Sequence, residues 1–264
     1  APTDVTGTMT IGGGISWTNG AALSLTGGLT LNTTGTVTGG TTSNTLTVGG
    51  NLVITAGTLA INSANLTVTG TSSITGILND TSATGTNIFT GAVTVNSGGT
   101  WGTNAANSPY TFRGGLAVNT ASTFTSGTGI YTFDTTAQSI SGTQAFTITN
   151  LTNNLTATTG LTLSTNNLTV TALTQGTAGA ILTISAAPTI TTLNATAGNS
   201  AGNIVDYNGV TQTCKATTYV NLKLDGTTST DTCAPTDVTG TMTIGGGISW
   251  TNGAALSLTG GLTL

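Results

Sequence analysis

The phrase Leu46-Thr47-Val48 returns as Leu66-Thr67-Val68, an offset of 20 positions, and Tyr110-Thr111-Phe112-Arg113 returns as Tyr131-Thr132-Phe133-Asp134, an offset of 21. Alternation of apolar residues with Thr is the period-2 signature of a half-buried strand. Many short strands are compatible with a sandwich, a barrel or a solenoid. The shared offset decides among them, because each coil of a β-solenoid lays its strands beside the equivalent strands of the coil below. The spacing therefore predicts an all-β parallel β-helix with about 20–22 residues per coil. Coils cut from the sequence at 50–65, 66–87, 161–180 and 181–203 differ in length, so loops of unequal size are expected to protrude, above all around 100–109 and 196–203.

What is missing from the composition argues against helix. Charged residues are 4% of the 264, the acids are seven Asp, and there is no Glu and no His. Glu, Lys, Arg and Gln clothe the exposed faces of helices, whereas Thr and Val favour strands and Gly and Asn favour tight turns. Disordered chains combine low hydrophobicity with high net charge; here the net charge is −4 and 36% of residues are hydrophobic. That charge is too small and too scattered to predict nucleic acid or an anionic membrane surface as partner. No apolar run reaches the roughly 18 residues that span a bilayer, so no membrane span is expected.

A second periodicity is much longer. Residues 1–31 return letter for letter as residues 234–264, a period of 233. A compact domain has no use for a second copy of its opening segment, whereas a window on a tandem array has this form. The expected organisation is one full solenoid unit at 1–233 and the start of the next identical unit at 234–264. The two copies should adopt the same conformation, at opposite ends of the shaft. At about 21 residues a coil, the unit holds roughly eleven coils and rises on the order of 50 Å. No signal peptide opens the sequence, which carries little weight for a chain that begins inside an array.

Stacking makes contact predictions. Residues one coil apart lie roughly 4.8 Å from each other, so Tyr110 and Phe112 are expected to stack on Tyr131 and Phe133, and Arg113 to pair with Asp134. Arg113 is the single arginine of the chain. Columns of Thr and Asn would hydrogen-bond coil to coil without charge, while Leu, Ile, Val and Ala fill a narrow interior.

The two cysteines, Cys214 and Cys233, are separated in sequence by close to one coil. Stacking brings their Cα atoms to about 5 Å, within the span a disulfide needs. A cross-coil disulfide is the preferred reading; two free thiols, or a bond to a neighbouring filament, are the alternatives. Two thiols without His leave a zinc site half built, so no metal is expected. A disulfide points to an oxidising place, outside the cell.

The segment Gly202-Asn203-Ile204-Val205-Asp206-Tyr207-Asn208-Gly209-Val210-Thr211-Gln212-Thr213, followed by Ala216-Thr217-Thr218-Tyr219-Val220-Asn221-Leu222-Lys223-Leu224, resembles a phrase of large repetitive bacterial surface proteins of the filamentous-haemagglutinin and adhesin kind. The resemblance is close over that segment and stylistic elsewhere. It implies a parallel β-helix and a secreted structural or adhesive role, and it assigns no catalytic residue. Cys214 and Cys233 depart from the phrase.

Catalysis is not expected. General acid-base chemistry needs a group tuned near neutral pH, and without His or Glu the candidates reduce to a loose cluster of Asp206, Lys215, Lys223, Asp225 and Asp231, which reads more simply as a solvated loop or a salt bridge such as Lys223 with Asp206. No cofactor is implied, and Gly-Gly pairs lack the regularly spaced Asp of calcium-binding repeats. Acceptor triplets for N-glycosylation occur at Asn32, Asn65, Asn79, Asn150, Asn154, Asn167 and Asn194, as chance provides in so Asn- and Thr-rich a chain. Trp17, Trp101, Tyr110 and Tyr131 offer either a sugar-binding face or core stacking. The expected function is that of an extracellular filament protein, a surface fibre, sheath or adhesive stalk. Its partners would be copies of itself end to end, with lateral filament contacts or surface glycans beside them. The rivals are a pilin-like subunit joined by strand donation, which needs a sandwich, a carbohydrate- or ice-binding solenoid, and a β-helical lyase.

Overall fold

In a computed structural model the chain is all-β, with parallel strands stacked as a β-solenoid of about 11 turns, coils of about 21 residues, and no helix among the described residues. The structure describes residues 3–39, 44–62, 65–81, 84–102, 107–156, 160–197, 201–226 and 230–264. The coils belong to two compact units, 1–132 with 142–150, and 133–141 with 151–264. The sandwich that a strand-donating subunit requires is not formed.

In the first unit a coil has three faces. One is made by Leu23–Leu25, Thr45–Val48, Asn65–Val68, Asn87–Phe89 and Tyr110–Phe112, paired in parallel so that Leu25, Val48, Val68, Phe89 and Phe112 share an inward column. The second face aligns Leu31, Ile54, Ile74, Val95 and Val118. The third aligns Val37, Leu59, Leu78, Trp101 and Phe124. Apart from Phe124, every member of these columns is buried. The residues between them, such as Thr47, Thr67 and Thr111, point outward, where a β-branched body suits the pleat and a hydroxyl meets water.

The corner between the first and second faces explains a glycine that recurs once in each coil. Gly27, Gly50, Gly70, Gly91 and Gly114 stack above Gly7. A Cβ at Gly27 would lie 2.6 Å from the carbonyl carbon of Gly7, and one at Gly50 2.8 Å from that of Gly27. At Gly114 the distance to the Gly91 carbonyl carbon would be 2.4 Å. Coils held at strand spacing leave no room there for a methyl group.

The interior is only partly aliphatic. From Phe89 upward the first unit fills with rings: Phe89 stacks on Phe112 at 5.7 Å, Trp101 on Phe124 at 5.8 Å, and Tyr110 on Tyr131 at 5.0 Å. Trp101, Tyr110 and Tyr131 are fully buried, which rules out a sugar-binding face built from them. Thr100–Gly102, at the start of the expected 100–109 loop, is instead a strand, because Trp101 falls in register with Leu78 on the third face. Residues 103–106 of that loop, and 198–200 of the loop expected at 196–203, lie outside the described residues.

In the second unit one face aligns Leu161, Leu182, Val205, Leu222 and Met242 as an inward column, with Leu163, Ile184, Tyr207 and Leu224 beside it. Another face pairs Val170 with Ile190 and Leu173 with Leu193. Outward hydroxyls and amides bond one coil apart, as between Thr120 and Thr143 at 2.6 Å in the first unit and from Ser185 to Asn208 at 2.7 Å in the second. These links satisfy the surface without charge.

Candidate functional site

Both copies of the duplicated segment keep the same strand register, although they turn the Gly-Gly-Gly corner differently, the left-handed glycine being Gly13 in the first copy and Gly247, the counterpart of Gly14, in the second. In the first, Asp4 and Val5 pair with Ser24 and Leu25, and Met9 and Thr10 with Leu29 and Thr30. In the second, Val238 pairs with Leu258, and Met242 and Thr243 with Leu262 and Thr263. Every partner is displaced by the same 233 positions. Gly260 lies against Gly240 as Gly27 lies against Gly7.

Their edges are covered differently. The downstream edge of the first copy carries the next coil, Leu23 and Leu25 against Leu46 and Val48, and Leu29 and Leu31 against Leu52 and Ile54. These four leucines are buried, whereas Val5 and Met9 upstream are half-buried and Ile15 is 56% exposed. In the second copy the upstream edge is the covered one. Asp237–Val238 pairs with Thr218–Tyr219, Met242–Ile244 with Leu222 to Leu224, and Ser249–Asn252 with Thr230–Cys233. Val238 and Met242 are there fully buried, while Leu262 is 48% and Leu264 88% exposed.

The edge that receives the second copy is stiffened covalently. Cys214 and Cys233 form a disulfide with their Cα atoms 4.7 Å apart. The backbone register places them one coil apart, since Cys214 N–H donates to Thr232 O and Thr232 N–H to Gln212 O, both at 3.0 Å. Beside them, Gln212 is buried and its amide donates to Ile184 O at 2.9 Å and to Ala186 O at 2.5 Å, while its own N–H donates to the buried Asp231 carboxylate at 2.8 Å. Tyr219 gives its hydroxyl proton to Lys215 O, so Tyr207 donates to Tyr219 at 3.1 Å and accepts from Lys215 N–H at 2.9 Å. Burial pushes both phenols above their ordinary pKa, which keeps them protonated for this work. Asn221 donates to Asn203 O at 3.0 Å and accepts from Thr241 N–H at 2.9 Å. The Asn, Tyr, Gln and Tyr positions of the recognised phrase are thus structural clamps around residues 208–217.

Outside this edge runs the column Thr183, Asp206, Lys223 and Thr243. Lys223 Nζ lies 3.3 Å from Asp206 and in contact with Asp225. Burial, then the neighbouring Asp225, raises the Asp206 carboxyl to about 7. Burial is also the largest single influence on Asp225 and raises it, but the hydrogen bonds with Lys223 and Asp206 and the charge of Lys223 together outweigh it and hold this carboxyl below the usual carboxylate range. The cluster is an ion pair with one surplus acid.

A second polar constellation, unforeseen from sequence, sits in the first unit's core. Asp80, fully buried, accepts from Tyr110 Oη at 2.6 Å and from Asn87 Nδ2 at 3.1 Å, and Trp101 Nε1 donates to Tyr131 Oη at 2.8 Å. A buried carboxylate is tolerable only when so bonded. Burial, and then the charges of Tyr131 and Asp80, hold the Tyr110 phenol well above its ordinary range, so it stays a donor.

Arg113 follows Tyr110–Phe112 in the first unit, its N–H donating to Phe89 O at 2.9 Å. Phe133 and Asp134 belong to the second; Phe133 is buried, and the Asp134 carboxylate accepts from Thr135 at 2.9 Å. A cleft of about 410 Å³ lined by Ile184, Pro188, Tyr207, Gln212, Cys214 and Lys215 opens beside the disulfide. Among the described residues no three His, Cys or Asp side chains gather as metal ligands, and no helix is long and apolar enough to cross a membrane. Searches against protein-family models, curated proteins and solved structures find no match to the chain.

Proposed function

We propose that the chain belongs to an extracellular structural fibre in which 233-residue solenoid units follow one another, with the duplicated turn as the joint. A surface fibre, sheath or adhesive stalk is the corresponding role. One observation carries the reading: a single sequence, in a single register, pairs through its downstream edge with Leu46 to Ile54 and, in its other copy, through its upstream edge with Thr218 to Cys233. One copy placed between two units would have both edges satisfied, so the pattern can propagate without an unpaired strand. The disulfide supports an oxidising location, and the resemblance of residues 202–224 to surface adhesins supports the same place. An exterior of Thr, Ser and Asn with few charges suits lateral filament contacts or surface glycans as further partners.

The test is the mass and location of the intact protein. Surface-accessible filaments whose reduced, denatured polypeptide is longer than this 25.8 kDa chain are expected. Filaments made of chains one unit long, with no peptide bond across residue 233, contradict the tandem-array reading.

A further inference from the structure

We propose that the cleft beside the disulfide is a peptide-binding slot: an extended segment ending in a free carboxylate enters it as an added parallel strand, pairs with the backbone of Thr213 and sets its terminal carboxylate against Lys215. The site lies wholly within the second unit. It goes beyond the fibre reading and does not depend on it, since no part of the duplicated turn lines the cleft.

The slot is a local break in the stacking of coils. Thr189–Asn194 is the last strand of its sheet: Ile190 pairs with Val170 and Leu193 with Leu173 on the upstream side, and no described strand pairs with it downstream. The next coil brings residues 211–217 to that edge. Side chains bridge the two coils at either end, Gln212 donating to Ile184 O at 2.9 Å and Thr217 Oγ1 to Leu193 O at 3.1 Å. Between these bridges, among the described residues, no backbone bond joins residues 189–192 to residues 213–216, and the cleft of about 410 Å³ occupies the interval.

The backbone there calls for a strand. Thr213 and Thr232 form a parallel bridge, in which Thr232 N–H donates to Gln212 O and Thr232 O accepts from Cys214 N–H. In that pattern the N–H and C=O of Thr213 itself point away from Thr232, to the side of the cleft that Thr213 lines, and they have no partner among the described residues. An added strand would satisfy both. The lining calls for an apolar side chain: Ile190 continues the inward column of Val170, yet Val170 is fully buried and Ile190 only half-buried, and the buried Ile184, Tyr207 and Cys214 line the same cleft. The charge calls for an anion. Lys215 lines the cleft two residues beyond Thr213, and among the described residues no carboxylate lies within ion-pair distance of it. A strand parallel to residues 211–216 runs toward Lys215, so its carboxyl end arrives at the ammonium. At about 3.3 Å per residue, 4.8 Å between strands and 10 Å between sheets, an extended residue takes up roughly 160 Å³. The cleft therefore suits the last two or three residues of a peptide.

The experiment uses the full chain with its disulfide intact and a fluorescein-labelled peptide, Gly-Ser-Thr-Thr-Val with a free C-terminal carboxylate, read by fluorescence anisotropy. Saturable binding is expected, and at least tenfold weaker binding of the same peptide with a C-terminal amide. Lys215→Glu should weaken the free-acid peptide at least tenfold and leave the amide unchanged, whereas Lys215→Arg should retain the affinity. Thr213→Pro removes the backbone donor at an edge where proline is tolerated and should also cost at least tenfold. Hydrogen exchange of the Thr213 amide in the wild type, slowed at least tenfold by the peptide, reports the same bond without any substitution. Equal affinities for acid and amide, a Thr213 amide that the peptide leaves unprotected, or no saturable binding overturn the proposal. Hexanoate competing as tightly as the peptide overturns it too, by showing a pocket for small apolar acids in place of a strand. Each of these failures leaves the fibre reading standing.

Discussion

Replacing Gly91 by Ala tests the coil stacking at the glycine corner of the first unit. The added Cβ would lie 2.4 Å from Gly70 O, 2.5 Å from Gly70 C and 2.8 Å from Thr71 N, all of them backbone atoms that no rotamer change can move. Restoring ordinary contact requires the two coils to separate by about 1 Å at this corner. The ladder there cannot stretch so far: Thr90 N–H to Val68 O and Ser72 N–H to Ala92 O are both 2.8 Å, and the same displacement takes them past hydrogen-bonding range. Two backbone bonds lost at about 1 kcal/mol each, with about 1–3 kcal/mol of overpacking, give a destabilisation of about 3–5 kcal/mol. For a chain of this size that lowers Tm by about 6–15 °C. Gly20→Ala is the control, since nothing lies within 4 Å of its Cβ position, and it should fall within about 0.5 kcal/mol of wild type. Thermal unfolding by circular dichroism, with hydrogen exchange of the Thr90 and Ser72 amides, reads both. If Gly91→Ala melts with Gly20→Ala, the coils are not stacked as described.

Other perturbations address the second unit and the buried polar groups. Cys214→Ala with Cys233→Ala, or reduction of the wild type, should cost about 3 kcal/mol in chemical denaturation, the loop-closure value for a sequence separation of 19; an unchanged midpoint would show that the Gln212 and tyrosine clamps hold the edge alone. Asp206 titrates at about 7 when folded against 3.8 in its ordinary state. Its contribution to stability is therefore full below about pH 4 and is lost as pH rises through 7, by up to about 4 kcal/mol. Asp206→Asn should flatten that slope in melting curves taken from pH 4 to 8, and an equally steep mutant would assign the slope elsewhere. Tyr110→Phe removes the 2.6 Å donor to buried Asp80 and should destabilise the chain by about 1–3 kcal/mol; a neutral result in the same melts would mean that Asp80 is satisfied without it.

The coil period was legible because Leu46-Thr47-Val48 and its echoes sit on faces where inward and outward residues alternate strictly. The glycine corner was equally written, at Gly7, Gly27, Gly50, Gly70, Gly91 and Gly114, but a glycine in so Gly-rich a chain does not announce whether it turns the backbone or merely makes room for the next coil. The Cys214–Cys233 disulfide followed from a spacing that matches one coil, and the Lys223–Asp206 ion pair from charges rare enough to seek each other. Asp80 was not legible. It follows the strand Ile77–Asn79 in a polar stretch of sequence, where a solvated carboxylate is the ordinary expectation, and only the inward register of Asn87 and Tyr110 carries it into the core. The aromatic interior was half legible: the spacing aligned Tyr110 with Tyr131, yet their side of the sheet followed only from the register of Asn87–Phe89 with Asn65–Val68 beneath them.

Fibre diffraction from aligned filaments of the natural protein tests the central claim most directly. Parallel coils stacked along the fibre predict a meridional reflection at about 4.8 Å together with an axial repeat on the order of 50 Å, the rise of one 233-residue unit at about 21 residues per coil. A strong reflection of that strand spacing on the equator, or an axial repeat unrelated to the 233-residue period, would contradict a fibre of solenoid units joined through the duplicated turn.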